Sequence, residues 1–287
     1  MAILSIQSSV AYGHVGNAAA VFALQCLGFE VWPVNTVAYS NHPGYGDWRG
    51  RVADASEVAA LIEGIAARGA LADCRAVLGG YLGAAETGPV VLDAVAAVKA
   101  ANGDALYCCD PVIGDAAEGV YVADGVAEFI KSEAVGRADI LLPNAFELEY
   151  LTGRAADTTE HALAAARVLL ERGPRLVVVT SLASSLVSGA GNAETVETLA
   201  VSPSGAWLVA VPRLSSPAKG TGDLFTALFL GHYLQSRRPG QALGAAASAV
   251  FAVLAETAKA GRRELALVAA RDELVRPLRR FEALRLR

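Results

Sequence analysis

Residues 219–230 read Lys-Gly-Thr-Gly-Asp-Leu-Phe-Thr-Ala-Leu-Phe-Leu. A tight Gly-x-Gly turn that opens an apolar helix presents unsatisfied backbone N–H groups and the positive end of a helix dipole. Gly220 and Gly222 let the backbone come close to a ligand. With Thr221 between them they make an anion hole, suited to charge developing on a phosphoryl group in transfer. Asp223, in the first turn, would stand beside that hole, placed to accept the proton of an attacking hydroxyl. The plainer reading is a helix-start acid after an ordinary turn.

Two further clusters close short apolar runs. Cys109-Asp-Pro-Val-Ile-Gly-Asp115 carries two acids, and Leu142-Pro-Asn-Ala-Phe-Glu147 supplies an Asn-x-x-Glu pair. Carboxylates and amides converging at strand ends form an oxygen-rich site of the kind that holds Mg²⁺ through waters and substrate phosphates. Asn144 and Glu147 can equally be read as a helix N-cap with a capping box. Thr180 and Ser181 end another run, where hydroxyls could reach a nucleotide phosphate or simply cap the chain. Lys219 can be read as a phosphate partner or as a solvated lysine before the turn. His14 and His42 read as pocket residues without a base role, and His161 and His232 as surface or packed positions.

Several common signatures are missing. Lys131-Ser132 is the only Lys followed by Ser or Thr, and Ile130 precedes it where a Walker A motif needs Gly. Gly220-Thr-Gly222 comes nearest to GxGxxG, but Phe225 takes the last glycine's place. HExxH and GxSxG are absent.

These residues must be positioned by strands. Residues 2–7, 30–36, 76–80, 105–110, 140–142 and 175–180 are apolar runs too short for helices. Between them, residues 19–27, 56–67, 90–101 and 159–171 space their apolar side chains as helices do. Strand and helix in alternation imply parallel pairing, hence an α/β fold with a mostly parallel central sheet and helices on both faces. Ligands in such sheets bind beyond the carboxyl ends of the strands, where the polar clusters lie. Residues 40–51 read as an ordered loop, 195–201 and 206–211 as a hairpin about Ser202–Gly205, and the chain from Gly222 onward as helices. Without repeats or a linker, residues 1–287 read as a single domain.

Composition bounds the rest. The chain has 287 residues, 54% of them hydrophobic, and a formal net charge of −5, which excludes a disordered chain and gives no basic footprint for nucleic acid. The apolar run at 242–255 falls short of the roughly 20 residues a spanning helix needs, and the N-terminus does not read as a signal peptide. Cys26, Cys74, Cys108 and Cys109 have no zinc spacing. A cytoplasmic protein without membrane or nucleic-acid partners is expected.

Together these pieces resemble the ribokinase-like superfamily of ATP-dependent small-molecule kinases, whose signature is Gly-x-Gly-Asp opening a helix. Within it the resemblance to pyridoxal kinases runs the length of the chain. It rests on Ile6-Gln-Ser8, Tyr12-Gly-His-Val-Gly-Asn17, Trp32-Pro-Val-Asn-Thr36, Ser40-Asn-His42 with Tyr45-Gly46, and Gly80-Tyr-Leu-Gly83. Cys109-Asp-Pro-Val112, Pro143-Asn144 with Glu147, and Gly220-Thr-Gly-Asp223 complete it. The resemblance implies phosphorylation of the 5′-hydroxyl of pyridoxal, and of pyridoxine and pyridoxamine, by a homodimer using ATP and Mg²⁺, with a monovalent cation left open. It implies that Ser8 and Tyr81 hold the pyridine substrate and that Asp223 is the base. Asp110 and Glu147 would organise magnesium, directly or through water. Asp115, Asn144, Thr180 and Ser181 would lie on the ATP side, with Gly220, Thr221 and Gly222 as the anion hole. Pro43 replaces a threonine that often contacts substrate in relatives, so that contact would be lost or remade by neighbouring backbone. Leu214-Ser-Ser-Pro217 is shorter than in some, so the flap over ATP would differ. A hydroxymethylpyrimidine kinase and a vitamin-binding sensor with little turnover are the alternatives.

Overall fold

Strand β1 (Ala2–Val10) carries apolar side chains on both faces: Leu4 and Ile6 enter one core and Ile3 the other. Two apolar faces are what a strand covered by helices on both sides requires. The computed structural model describes residues 1–183, 195–214 and 216–286. The next strands in chain order are β2 (Glu30–Tyr39), β3 (Gly50–Val52), β4 (Cys74–Gly79), β5 (Leu106–Cys109), β6 (Gly114–Asp115) and β7 (Gly119–Val120). They are followed by β8 (Ile140–Leu141), β9 (Leu176–Ala183), β10 (Thr195–Ser202), β11 (Gly205–Pro212) and β12 (Leu284–Leu286).

Ten strands form one sheet in the order β12-β11-β10-β9-β8-β5-β4-β1-β2-β3, and β6 pairs with β7 apart from it. The six central strands, β9 through β2, are parallel. The outer strands are antiparallel. The expected α/β architecture is thus observed, with a parallel centre and antiparallel edges. Helices Ala55–Ala66, Thr87–Ala101, Ala145–Thr152 and Thr159–Leu170 cover one face through Val58, Val91, Leu148 and Leu169. Helices Asn17–Cys26, Thr221–Ser236 and Pro239–Lys259 cover the other through Leu24, Phe229 and Val253. Strand order reverses at β1, which has β2 on one side and β4 on the other, so a ligand crevice is expected there.

Helix Thr221–Ser236 is anchored by an i, i+4 ladder of rings. Phe229, fully buried, stacks against Phe225 at 6.3 Å and Tyr233 at 6.1 Å. Burying a ring of this kind contributes about 2–3 kcal/mol and fixes where the helix begins.

Three parts differ from the sequence reading. The 40–51 loop contains a 3₁₀ turn, Pro43–Tyr45, and edge strand β3, whose three residues are all exposed and so carry no apolar alternation. The chain after Gly222 is not wholly helical: β12 pairs antiparallel with β11. Residues 126–137 form a helical run with a π-turn at Ile130–Ala134, and this irregularity breaks the apolar period. Ser215, within the expected short flap, lies outside the described residues. Helix Pro239–Lys259, 21 residues with a mean hydropathy of 1.4 in its most apolar window, extends beyond the 242–255 run and is long enough to cross a membrane. However, 61% of that window is buried within the protein.

Candidate active site

Beyond the carboxyl ends of the parallel strands opens a cavity of about 510 Å³. Ser8 of β1, Tyr81 after β4, Asp110 after β5, Asn144 and Glu147 after β8, and Thr180 and Ser181 of β9 line it. Asp115 of β6 and Gly220, Gly222 and Asp223 at the start of helix Thr221–Ser236 complete the wall. Of the residues given a substrate, base, metal, ATP or anion-hole role, Thr221 alone is not part of the wall; it begins the helix.

Three acids meet on the floor. Burial, then the charges of Glu147 and Asp223, hold the Asp110 carboxyl well above the usual carboxylate range, against a 2.8 Å hydrogen bond from Thr226 Oγ1. Glu147, 3% exposed, is pushed up to about 7 by burial. Three backbone donors oppose that rise: Ile113 N–H at 2.9 Å and Gly114 N–H at 3.4 Å reach Oε1, and Asn144 N–H reaches Oε2 at 2.9 Å. Asn144 Oδ1 accepts from Glu147 N–H at 2.9 Å, so the capping box is formed. Glu147 therefore has both oxygens engaged locally, which leaves Asp110 the freer carboxylate. Among the described residues no three acid, histidine or cysteine side chains make an all-protein metal cage. Two mutually repelling carboxylates, Glu147 buried and Asp110 partly so, fit a hard divalent cation completed by waters and phosphates.

Gly220 has φ +89°, and a Cβ there would stand 1.9 Å from the His14 carbonyl oxygen. Only glycine lets the turn pass under the 11–16 loop. That loop in turn points the Gly16 N–H toward Asp223, whose carboxyl burial raises and this donor lowers. A Cβ on Gly222 would meet no atom within 4 Å beyond its chain neighbours and its own helical turn, so this side of the turn is open. The helix N-terminus and its free amides therefore face unfilled space beside a partly buried acid, the geometry of an anion cradle.

The far wall is formed by β9. Ser181 has φ +61° at an irregularity in the β9–β10 pairing, a strained value for a non-glycine residue. Thr180 N–H donates to the Pro143 carbonyl at 3.0 Å. Asp115 Oδ1 accepts from Ala117 N–H at 2.9 Å and Glu118 N–H at 2.8 Å, closing the β6–β7 turn from within the wall.

The opposite end is the more apolar. Tyr81, its hydroxyl raised by burial, stands with Val37, Tyr39 and Pro43. His42 also lines it, its imidazole lowered chiefly by burial and then by Lys219, with Nδ1 accepting from Gly44 N–H at 3.0 Å. His14 is not in the wall, exposed His161 pairs with Asp157, and His232 lines a separate cavity.

A model of the family described as phosphomethylpyrimidine kinase matches residues 53–267. The chain is 52% identical to a pyridoxal kinase of Rubrobacter xylanophilus, covering 99% of this chain and 97% of that one. It is 50% identical to a pyridoxal kinase of Granulibacter bethesdensis, covering 99% of each. The chain belongs to the pyridoxal kinase family. A solved pyridoxal kinase from Leishmania donovani, in complex with ADP and ginkgotoxin, superposes with a TM-score of 0.91 at 31% identity, covering 100% of this chain and 99% of that one. A phosphomethylpyrimidine kinase structure from Bacteroides thetaiotaomicron, 23% identical with a TM-score of 0.88 and covering 99% and 97%, shares the fold.

Sequence reasoning missed residues that tie together the segments around the cavity of this pyridoxal kinase family member. Glu264, remote in the chain, accepts from Tyr45 Oη at 2.6 Å and His14 N–H at 3.3 Å, and so ties together two loops beside the cavity. That bond comes first among the causes that push the Tyr45 hydroxyl up to about 12. Thr226, which holds Asp110, lies three residues after Asp223 on the same helix face, and that spacing was a usable signal. Beneath Ser8, Ser5 Oγ donates to Asn17 Oδ1 at 2.7 Å and Asn17 Nδ2 donates to Asn35 Oδ1 at 2.8 Å, joining β1 to β2.

Proposed function

We propose that this protein transfers the γ-phosphoryl group of ATP to the 5′-hydroxyl of pyridoxal, and also of pyridoxine and pyridoxamine, acting as one domain over residues 1–287. The observation that carries the reading is the juxtaposition, in one cavity, of the Gly220–Gly222 cradle, Asp223 and the Asp110–Glu147 pair. The relatives named pyridoxal kinase, and the neighbours solved with ADP together with pyridoxamine or pyridoxine, supply the substrate class.

Asp223 takes the hydroxyl proton as the oxygen attacks the γ-phosphorus in line, and ADP leaves. Its elevated carboxyl is the better matched to accept a proton near neutral pH. The amides of residues 220–222 receive the charge of the migrating group, so positioning and electrostatics carry most of the acceleration. Ser8 and Tyr81 orient the ring; Asp115, Asn144, Thr180 and Ser181 lie on the nucleotide side. Asp110, with Glu147 through water, would hold Mg²⁺, which when bound would supply positive charge against that of the phosphates. Pro43 has no hydroxyl to offer substrate, so the contact there falls to neighbouring groups. A homodimer in the cytoplasm, with a monovalent cation as an optional activator, completes the reading.

The test is ADP release with each of the three vitamers, with hydroxymethylpyrimidine and with a sugar. Release with the vitamers is expected. Release with the pyrimidine alone moves the assignment to that kinase, and saturable pyridoxal binding without ADP makes the protein a sensor.

The buried acids also predict a pH dependence. Folded Asp110 and Glu147 keep protons that the unfolded chain has released, so the folded state binds more protons between the ordinary carboxyl range and about 7. Stability then falls as pH rises through that window, by up to about 3 kcal/mol for Glu147 alone. In EDTA the unfolding temperature is expected to drop between about pH 5 and pH 8, and to drop less in Asp110→Asn. Mg²⁺ should raise it more at the upper end of the range than at the lower. Equal slopes in the two proteins would remove the acid pair as the source.

A further inference from the structure

Three segments converge at the mouth of the cavity: the His42–Gly44 turn, the β6–β7 hairpin and the residue preceding the glycine turn. Lys219 Nζ pairs there with Glu118 Oε1 at 2.8 Å, their side chains 45% and 50% exposed. The ammonium also bears on His42, and Lys219 Cε comes within 3.9 Å of a Cβ built on Gly44. The wall holds Asp110, Asp115, Glu118, Glu147 and Asp223, yet among the described residues Lys219 is its only ammonium or guanidinium. It adjoins Gly220, where the cradle begins.

An exposed lysine–carboxylate pair is a weak bond, screened and entropically expensive to hold. A terminal phosphate carries more charge and more acceptors, and makes stronger charge-assisted hydrogen bonds. We propose that Lys219 is a phosphate-binding residue that exchanges Glu118 for oxygens of the migrating phosphoryl group, with Glu118 holding the ammonium at the mouth until a triphosphate arrives. This deepens the kinase reading and rests on it. Nothing in the exchange requires the backbone to move: lysine is a compact charge on a flexible stem, and both partners already lie on the cavity wall.

The experiment measures, with Mg²⁺ and the full chain, the affinities of ADP and of the non-hydrolysable triphosphate AMP-PNP for wild type, Lys219→Met, Glu118→Gln and the double variant. Both positions are half-exposed, so all four proteins are expected to fold. Lys219→Met should weaken AMP-PNP about tenfold and ADP less than about threefold, since the lost contact is to the terminal phosphate. Glu118→Gln should tighten AMP-PNP about threefold while Lys219 is present and by much less in the Lys219→Met background, because only the first releases a competed ammonium. Equal tightening in both backgrounds would mean mere long-range charge, and equal losses in both single variants would mean a structural strap; either overturns the exchange. A wild type that binds neither nucleotide would instead bring down the kinase reading, and this one with it.

Discussion

Replacing Asp223 by Asn is expected to lower turnover by about 10²–10⁴-fold, the range a positioned general base contributes. The same change should leave pyridoxal and ADP affinities within about threefold, since the amide keeps the shape and one acceptor oxygen for Gly16 N–H. It should also raise the unfolding temperature. Burial disfavours the charged carboxylate and lifts its pKa, and a neutral side chain escapes that penalty. Opposite movements of turnover and stability separate a base from a scaffold residue: losing a merely structural acid would lower both together. A second sign is the pH profile, where the acid limb of kcat assigned to Asp223 should vanish in the variant. Turnover within threefold of wild type would remove the base role and leave Asp223 a helix-start acid. ADP release with pyridoxal and calorimetric titration of both ligands are the measurements.

What the sequence made legible and what it hid divide along contact distance in the chain. The Gly220-Thr-Gly-Asp223 turn, the Asn144–Glu147 capping box and the strand-end position of Asp110 are local patterns, and local patterns leave a signature in spacing. Even there the chemistry stayed double: Asn144 and Glu147 were readable as cap or as magnesium site, and the structure shows the cap formed while both remain in the wall. Asp115, placed on the ATP side, uses one oxygen to close its own turn. By contrast, Tyr45 meets Glu264 across 219 residues, Thr226 meets Asp110 across 116, and Lys219 meets Glu118 across 101. No period connects such pairs; only the stacking of strand ends brings them together. The edge strands escaped notice for a different reason. β3 and β12 have three residues each and little burial, too few alternations to show a period of two.

The glycine turn permits the sharpest separation of fold from chemistry, because its two glycines face different neighbours. Gly220→Ala puts a methyl group 1.9 Å from the His14 carbonyl oxygen at a φ of +89°, so either the 11–16 loop or the helix start must move. Backbone atoms cannot yield as a flexible side chain would. A loss of stability of about 2–4 kcal/mol is expected, with turnover reduced at least about 10²-fold as Gly16, Asp223 and the cradle lose register. Gly222→Ala meets no atom within 4 Å beyond its chain neighbours and its own helical turn and lies inside the helix, where alanine is the better residue. Its unfolding temperature should hold or rise, by the equivalent of about 0.4–1 kcal/mol. Yet Gly222 is part of the cavity wall, and a methyl beside the free amides occupies space a phosphate oxygen would need. Turnover should therefore fall about tenfold or more, with weaker AMP-PNP binding and no loss of fold. The pair would thus dissociate two meanings of one motif: Gly220 serves the chain's passage under its neighbour, and Gly222 would serve the proposed ligand. A Gly222→Ala protein with unaltered turnover and nucleotide affinity would show that no anion approaches this turn, whatever Gly220→Ala does.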